Sequence, residues 1–139
     1  MINSFKGEYY FLSNFYEVPV FFDGIQYKNS EAAFQAQKCE NFEDRKAFSQ
    51  LNASEAKLKG RRVKLRSDWE SVKIDLMTKI VEAKFTQNKE LAQKLINTGS
   101  EYLEEGNHWG DKVWGTVNGI GQNNLGKILM QIRDKLKNG

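Results

Sequence analysis

Carboxylates in contrasting settings are the residues of this sequence best suited to chemistry: Glu31, near the start of an alanine-rich stretch, and Glu105 and Asp111, in a loop of glycines and tryptophans. Carboxylates so placed can give and take protons, activate water or stabilise developing positive charge. Gln35 and Lys38 follow Glu31 by four and seven residues, so on a helix all three share one face and could line one pocket. A glutamate in a first helical turn also suits plain capping of free N–H groups, and position alone favours that reading. Around Asp111, glycines 106, 110, 115, 119, 121 and 126 are interleaved with Glu105, Trp109 and Trp114. Glycine loses the most conformational freedom on folding, and loop indoles need something flat to pack on. Taken singly each tryptophan suits a core; taken together the loop reads as a pocket for a heterocycle.

A third signal is charge. Lys57, Lys59, Arg61, Arg62, Lys64 and Arg66 fall in ten residues with no acid among them, and without them the +3 chain would be net negative. The positive balance is therefore local, suited to phosphates and unlike an extended nucleic-acid-binding surface, although such a run is often only a solvated face. Its sharpest part is Gly60-Arg61-Arg62, where a guanidinium fork follows a glycine. Gly121 to Gly126 could present backbone N–H groups as an anion site at the start of the last helix. It is no dinucleotide fingerprint, since its glycines are misplaced and no βαβ unit surrounds it.

Other chemistries are excluded by count. One cysteine, Cys39, forbids an internal disulfide, and one histidine, His108, is too few for the usual zinc sites or a Cys-His or Ser-His-Asp set. No calcium loop or Walker motif appears, so the reaction is expected to need neither metal nor cofactor. No apolar run reaches the roughly 18 residues of a membrane span and the N-terminus lacks a signal-peptide core, so the expected location is the cytoplasm with no membrane partner. Nothing in the sequence specifies an oligomeric state. At 139 residues and 40% hydrophobic content the chain suits a single domain over 1–139 with one core.

The elements that must hold these residues follow from periodicity. The first thirty residues are rich in aromatics and look extended, with Asp23-Gly24 as the turn of a β-hairpin. Helical spacing begins with Ser30 as N-cap, resumes from Glu43 to Leu51, and again from Ser54 to a stop at Gly60. The longest helix is expected from Asp68 to about Phe85, then one through Leu91 and Ile96, and a last one striped by Leu125, Ile128, Leu129, Ile132 and Leu136. The expected fold is α+β, mostly α-helical, with a small N-terminal β-hairpin.

These motifs, in this order, resemble the NADAR family, named for NAD and ADP-ribose. The matching pieces span nearly the whole chain: Phe11-Leu12-Ser13-Asn14-Phe15-Tyr16, Ser30-Glu31-x-x-Phe34-Gln35-Ala36-Gln37-Lys38, Gly60-Arg61, Asp68-Trp69-Glu70, Lys84-Phe85, Leu103-x-Glu105, Asp111-x-x-Trp114-Gly115 and Gly121-x-Asn123-x-Leu125-Gly126 with Arg133 beyond. The interval from Glu105 to Asp111 is a residue longer than in the YbiA-like branch, which leaves the substrate open more than the fold. The resemblance implies a mostly α fold and a hydrolase of N-glycosidic bonds to ribose, with Glu31, Trp69 and Asp111 at active-site positions. Glu31 is then the acid/base near the anomeric carbon and Asp111 the second carboxylate, though their roles could be exchanged. Trp69, Trp109 and Trp114 would stack the leaving heterocycle, Arg61 and Lys38 hold phosphate, and Asn14, Phe15, Gln35, Glu105 and Asn123 line the substrate. Implied substrates are a small ribosyl phosphate such as a ribosylamino-pyrimidine of riboflavin biosynthesis, or an ADP-ribosyl group, including one on guanine in nucleic acid. A non-catalytic sensor of ADP-ribose or NAD-like nucleotides is the alternative from another class.

Overall fold

A computed structural model describes all residues from Met1 to Gly139. The chain divides into two compact units, one of Asn14–Gln87 and one of Met1–Ser13 with Asn88–Gly139. About half of the residues are helical, and the only sheet is a two-stranded antiparallel hairpin.

In the unit Asn14–Gln87, strands β1 (Glu17–Phe22) and β2 (Ile25–Asn29) join through Asp23-Gly24, both at positive φ (50° and 87°), as a tight two-residue hairpin demands. The register Phe22↔Ile25 through Val20↔Tyr27 breaks toward Glu17, next to Pro19, which has no N–H to give a ladder. The Gln87 side chain satisfies the β1 backbone at Phe21, accepting its N–H and donating to its carbonyl, both at 2.8 Å.

Helix α1 (Ser30–Ala36) follows β2 directly, and all seven of its residues are buried. Alanines at 32, 33 and 36 let neighbouring backbones approach on several sides, and α1 packs against the hairpin, α2 (Phe42–Lys46), α3 (Ala53–Gly60) and α4 (Trp69–Thr86). The N-cap of α1 is Asn29, whose Oδ1 accepts from Ala32 N–H at 2.7 Å; Ser30, expected as the cap, is the first helical residue. Helix α2 is shorter than the spacing suggested and dissolves into turns after Lys46. Helix α3 opens with a full capping box between Asn52 and Glu55. The buried stripe of α4 runs from Trp69 through Met77, Ile80 and Val81 to Phe85 and includes a lysine, Lys84.

In the other unit, the aromatic segment expected to be extended forms a 3-10 helix, Gly7–Leu12. Gly7 at φ 57° turns the chain into it, a conformation that composition does not reveal. Helices α5 (Lys89–Asn97) and α6 (Asn124–Asn138) pack together, with Leu91 and Leu95 of the first and Leu125 and Ile132 of the second buried. Between them the chain has no regular element and is pinned by backbone bridges, Ile2 to Leu103 and Gly106 to Thr116. No helix in the chain is long and apolar enough to cross a membrane.

Candidate active site

Glu31 sits in the first turn of α1, 9% exposed, and its position is fixed from three directions. Its backbone N–H donates to Asn14 O at 3.0 Å, while Ser30 Oγ donates to Asn14 Oδ1 at 3.0 Å. One turn on, Gln35 Nε2 donates to Glu31 Oε2 at 2.6 Å, holding the carboxylate by a charge-assisted bond inside a buried helix. The first turn is already capped by Asn29, so Glu31 is not needed as its cap.

The other end of the Gln35 amide is unusual. Its Oε1 is buried with no hydrogen-bond partner, and a Cβ on Gly60 would lie 1.9 Å from it. The absent Cβ of Gly60 is thus what leaves room for the Gln35 amide. Gly60 is the last residue of α3, and Arg61, with ordinary αR geometry, is the cap, so the expected glycine stop is absent. Lys38, in the turn after α1, donates from Nζ to Gly60 O at 3.4 Å and lies 5.9 Å from the centroid of the Trp69 ring. Burial pulls the Lys38 ammonium below its ordinary pKa; the Glu31 carboxylate opposes that and the Arg61 guanidinium adds to it. Lys38 therefore feels the charges of Glu31 and Arg61, with the Gly60 carbonyl and the Trp69 ring beside it.

Not every expected role in this unit survives the geometry. Trp69 is 6% exposed and leans on Phe34, centroids 5.1 Å apart and rings tilted by 49°, so it backs Lys38 within this unit. Asn14 spends both ends of its amide internally, accepting from Ser30 and donating to Met77 Sδ at 3.3 Å. Phe15 lies half-buried beneath Lys57 Nζ, 5.7 Å away. The basic run divides: Arg66 is held by Asp68 at 2.6 Å and Lys59 lies 5.6 Å from the Phe48 ring centroid, whereas Arg61, Arg62 and Lys64 are exposed and in no ion pair.

The other expected residues belong to the second unit, where the loop is built by backbone closure. Asn107 Oδ1 accepts from Asp111 N–H at 3.0 Å and its Nδ2 donates to Asp111 O at 2.8 Å, clamping the turn through Gly110. Asp111 Oδ1 in turn accepts the N–H groups of Val113 (3.0 Å) and Trp114 (2.9 Å), which leaves Oδ2 with no hydrogen bond. Asn123, 2% exposed and left-handed at φ 51°, accepts from Glu105 N–H at 3.0 Å and donates to Leu103 O at 2.9 Å. A buried amide used in this way organises the loop, and has little left for a ligand. Trp114 is half-buried; Trp109 is 51% exposed with His108 edge-on at 5.3 Å.

The expected anion site at the start of α6 is not formed. The N–H groups of Asn123, Asn124 and Leu125 are taken by the carbonyls of Gly115, Val113 and Trp114. The donors that make helix N-termini bind anions are thus already satisfied.

Residues 3–137 match the NADAR domain. The chain belongs to the NADAR domain family. It is 36% identical over 143 residues to an N-glycosidase of Shigella boydii, YbiA, covering 96% of this chain and 85% of that protein. An N-glycosidase of Nostoc punctiforme is 33% identical, covering 91% of this chain and 85% of that one. A riboflavin biosynthesis protein of Vibrio vulnificus is 36% identical over 131 residues, but the chain spans only 35% of its length. The NMR structure of Escherichia coli YbiA is similar with a TM-score of 0.84 and 34% identity, covering 99% of this chain and 87% of that one. Both relatives covered over most of their length are N-glycosidases, and the chain falls in that enzyme class.

Within this NADAR chain Glu31 and Gln35 meet on one face of α1, as their spacing implied, while Lys38 follows in the turn after the helix. Sequence reasoning missed Asn107, the clamp of the glycine loop. Its one outward signal is an amide four residues before an aspartate in a glycine-rich stretch, the pattern of a side chain that bonds local backbone.

Proposed function

We propose that this NADAR protein hydrolyses the N-glycosidic bond between a 5′-phosphorylated ribose and an amino-pyrimidine, a compound of the type made in riboflavin biosynthesis. The observation that carries the reading is the buried Glu31 carboxylate, fixed by Gln35 at 2.6 Å, whose charge acts on Lys38, as does that of Arg61. A carboxylate held in one orientation away from bulk water suits proton delivery to a departing amine, and the adjacent cations suit a phosphorylated sugar. Glu31 acts as the acid/base in this reading. Asp111 keeps its Oδ2 out of the loop's hydrogen bonds while Oδ1 is committed to them, as an acid available to orient water would require. Arg61 supplies the fork for phosphate.

A second reading, release of ADP-ribose from guanine in nucleic acid, is favoured by the exposed and unpaired Arg61, Arg62 and Lys64, which could meet a phosphodiester backbone. The test is a product assay by chromatography and mass spectrometry. Wild type and Glu31→Gln are incubated with a ribosylamino-pyrimidine 5′-phosphate and, separately, with ADP-ribosylated guanosine and DNA. Free amino-pyrimidine and ribose phosphate, absent with Glu31→Gln, is the expected result. Turnover of the ADP-ribosylated substrate alone would establish the second reading. Binding of ADP-ribose with no release from either substrate would make the protein a sensor.

A further inference from the structure

We propose that Asn107 is a positioning residue for the reaction: its side-chain amide holds the backbone of Asp111, and so fixes the direction of Oδ2, the carboxylate oxygen that the loop leaves unbonded. The inference rests on the N-glycosidase reading above, in which Asp111 is the available acid of the glycine loop.

Asp111 stands at the edge of a docked run of chain. The carbonyls of Lys112, Val113, Trp114 and Gly115 accept the N–H groups of Gln122, Asn124, Leu125 and Asn123, at 2.7, 3.2, 3.0 and 3.2 Å, where α6 begins. Asp111 itself makes none of these backbone–backbone bonds and lies outside every helix and strand. Its main-chain N–H and carbonyl are instead both met by one side chain, that of Asn107, at 3.0 and 2.8 Å. Asn107 is anchored in its own right, since its N–H donates to Thr116 O at 2.8 Å and Thr116 N–H donates to Glu105 O at 2.9 Å. Asp111 therefore hangs between two fixed points: Asn107 grips its backbone, and the N–H groups of Val113 and Trp114 grip Oδ1. With the backbone and one carboxylate oxygen both held, Oδ2 keeps a single orientation, which is the condition for a reacting group to act at full effect.

The amide has little capacity for anything else. Its two Nδ2 protons go to Asp111 O and, at 3.4 Å, to Glu105 O, while Oδ1 is taken by Asp111 N–H. Two glycines serve the clamp. Gly110, at φ 89°, lets the turn from 107 to 111 close, and Gly115 leaves room for the amide, since a Cβ there would stand 2.8 Å from Nδ2. The docking of 112–115 and the bridge to Thr116 hold the flanking chain without this amide, so what the amide adds falls on Asp111.

The experiment measures kcat and KM of the full chain on a ribosylamino-pyrimidine 5′-phosphate, below the thermal midpoint of each variant. The variants are Asn107→Ala, Asn107→Asp, Asp111→Asn and the two double variants. Asn107→Asp keeps the size and an acceptor for Asp111 N–H, and replaces the donors by an oxygen that repels the carbonyls of Asp111 and Glu105; it carries the test if Asn107→Ala does not fold. Each Asn107 variant is expected to lose kcat by about 100-fold with KM changed by less than about threefold, since a misplacement near 1 Å costs that much in rate. Asp111→Asn keeps an accepting Oδ1 and removes the acid. In that background the Asn107 changes should cost kcat nothing further, because residues that act through one group are not additive. Losses that multiply, a lowered midpoint with kcat unchanged, or an Asp111→Asn variant as fast as wild type would each overturn the positioning role and leave the N-glycosidase reading intact. No amine release by wild type would overturn that reading and this inference with it.

Discussion

The helix region around Glu31 and the glycine loop around Asp111 hold their carboxylates by opposite means. Glu31 lies on a helix whose seven residues are all buried, and it is oriented by another side chain of the same helix, Gln35. Asp111 belongs to a segment with no regular element, held by amide clamps from Asn107 and Asn123 and by glycines that let carbonyls come close. In the first region packing makes the backbone and a polar group is added to it; in the second the polar groups make the backbone. A change to a polar side chain should therefore be felt as lost chemistry in the helix and as lost folding in the loop.

The largest effect expected is on turnover. Glu31→Gln keeps the size and a hydrogen-bonding end for Gln35, and removes the charge and the proton; loss of general acid–base catalysis is typically about 10²–10⁴-fold. A thermal midpoint near that of wild type, with such a loss in kcat, would place Glu31 on the chemical side of the comparison. An equal fall in stability would return it to a structural role.

The packed unit should also reveal itself through pH. Lys84 of α4 is fully buried, and burial alone pulls its pKa down to about 7. In the unfolded chain the same amine titrates near the ordinary lysine value, about 10.4. Between those values the unfolded state holds a proton that the folded state does not, so stability should rise as pH climbs from about 7 to about 10.4. Below about pH 7 the lysine is charged in both states and its penalty is complete, on the order of 5 kcal/mol. Denaturant titrations of wild type and Lys84→Met across that range test this, and an identical slope in both would remove Lys84 as its source.

The loop should break in its backbone. A Cβ on Gly115 would stand 2.0 Å from Glu105 O and 2.9 Å from Glu105 Oε2, and the first of these is a carbonyl that cannot swing aside. Gly115→Ala is therefore expected to cost about 3 kcal/mol, the upper end of ordinary overpacking, read as a lowered midpoint in urea. If the variant melts with wild type, the loop is softer than its clamps suggest and the contrast with the helix weakens.

The sequence made the hairpin and the long helices legible because their signals are local. Asp23-Gly24 sets its own turn, and the stripe of α6 is set by its own apolar residues. Glu31 and Gln35 were legible as a pair for the same reason, since helical spacing gathers them, whereas Lys38 lies beyond the end of α1. What stayed hidden depends on partners distant in the chain. Asn123 looked like a ligand residue because nothing local shows that its amide is consumed by Leu103 and Glu105, some twenty residues earlier. The start of α6 looked like an anion site for the same reason, because the carbonyls of 113–115 that cover it arrive from the loop. The 3-10 helix at Gly7–Leu12 was hidden by composition, as its aromatics favour strands and only the left-handed Gly7 shows the turn.

Gly60 offers the finest test, because it resembles Gly115 in sequence terms and differs in what it touches. An alanine there would bring Cβ to 1.9 Å from Gln35 Oε1 and 2.7 Å from Cδ, both at the movable end of a side chain. The amide can rotate away at a cost of about 1 kcal/mol, the low end of overpacking, so Gly60→Ala should fold with a small drop in midpoint. Rotation, however, withdraws Nε2 from Glu31 and disturbs the carbonyl that receives Lys38. Activity should fall by about tenfold, more than the stability change accounts for, since a misplacement near 1 Å in a catalytic group is enough to slow the reaction. Pairing the variant with Gln35→Ala sharpens the reading. If Gly60 acts through Gln35, the double variant should be no slower than Gln35→Ala alone; losses that multiply would show that Gly60 shapes the site by another route.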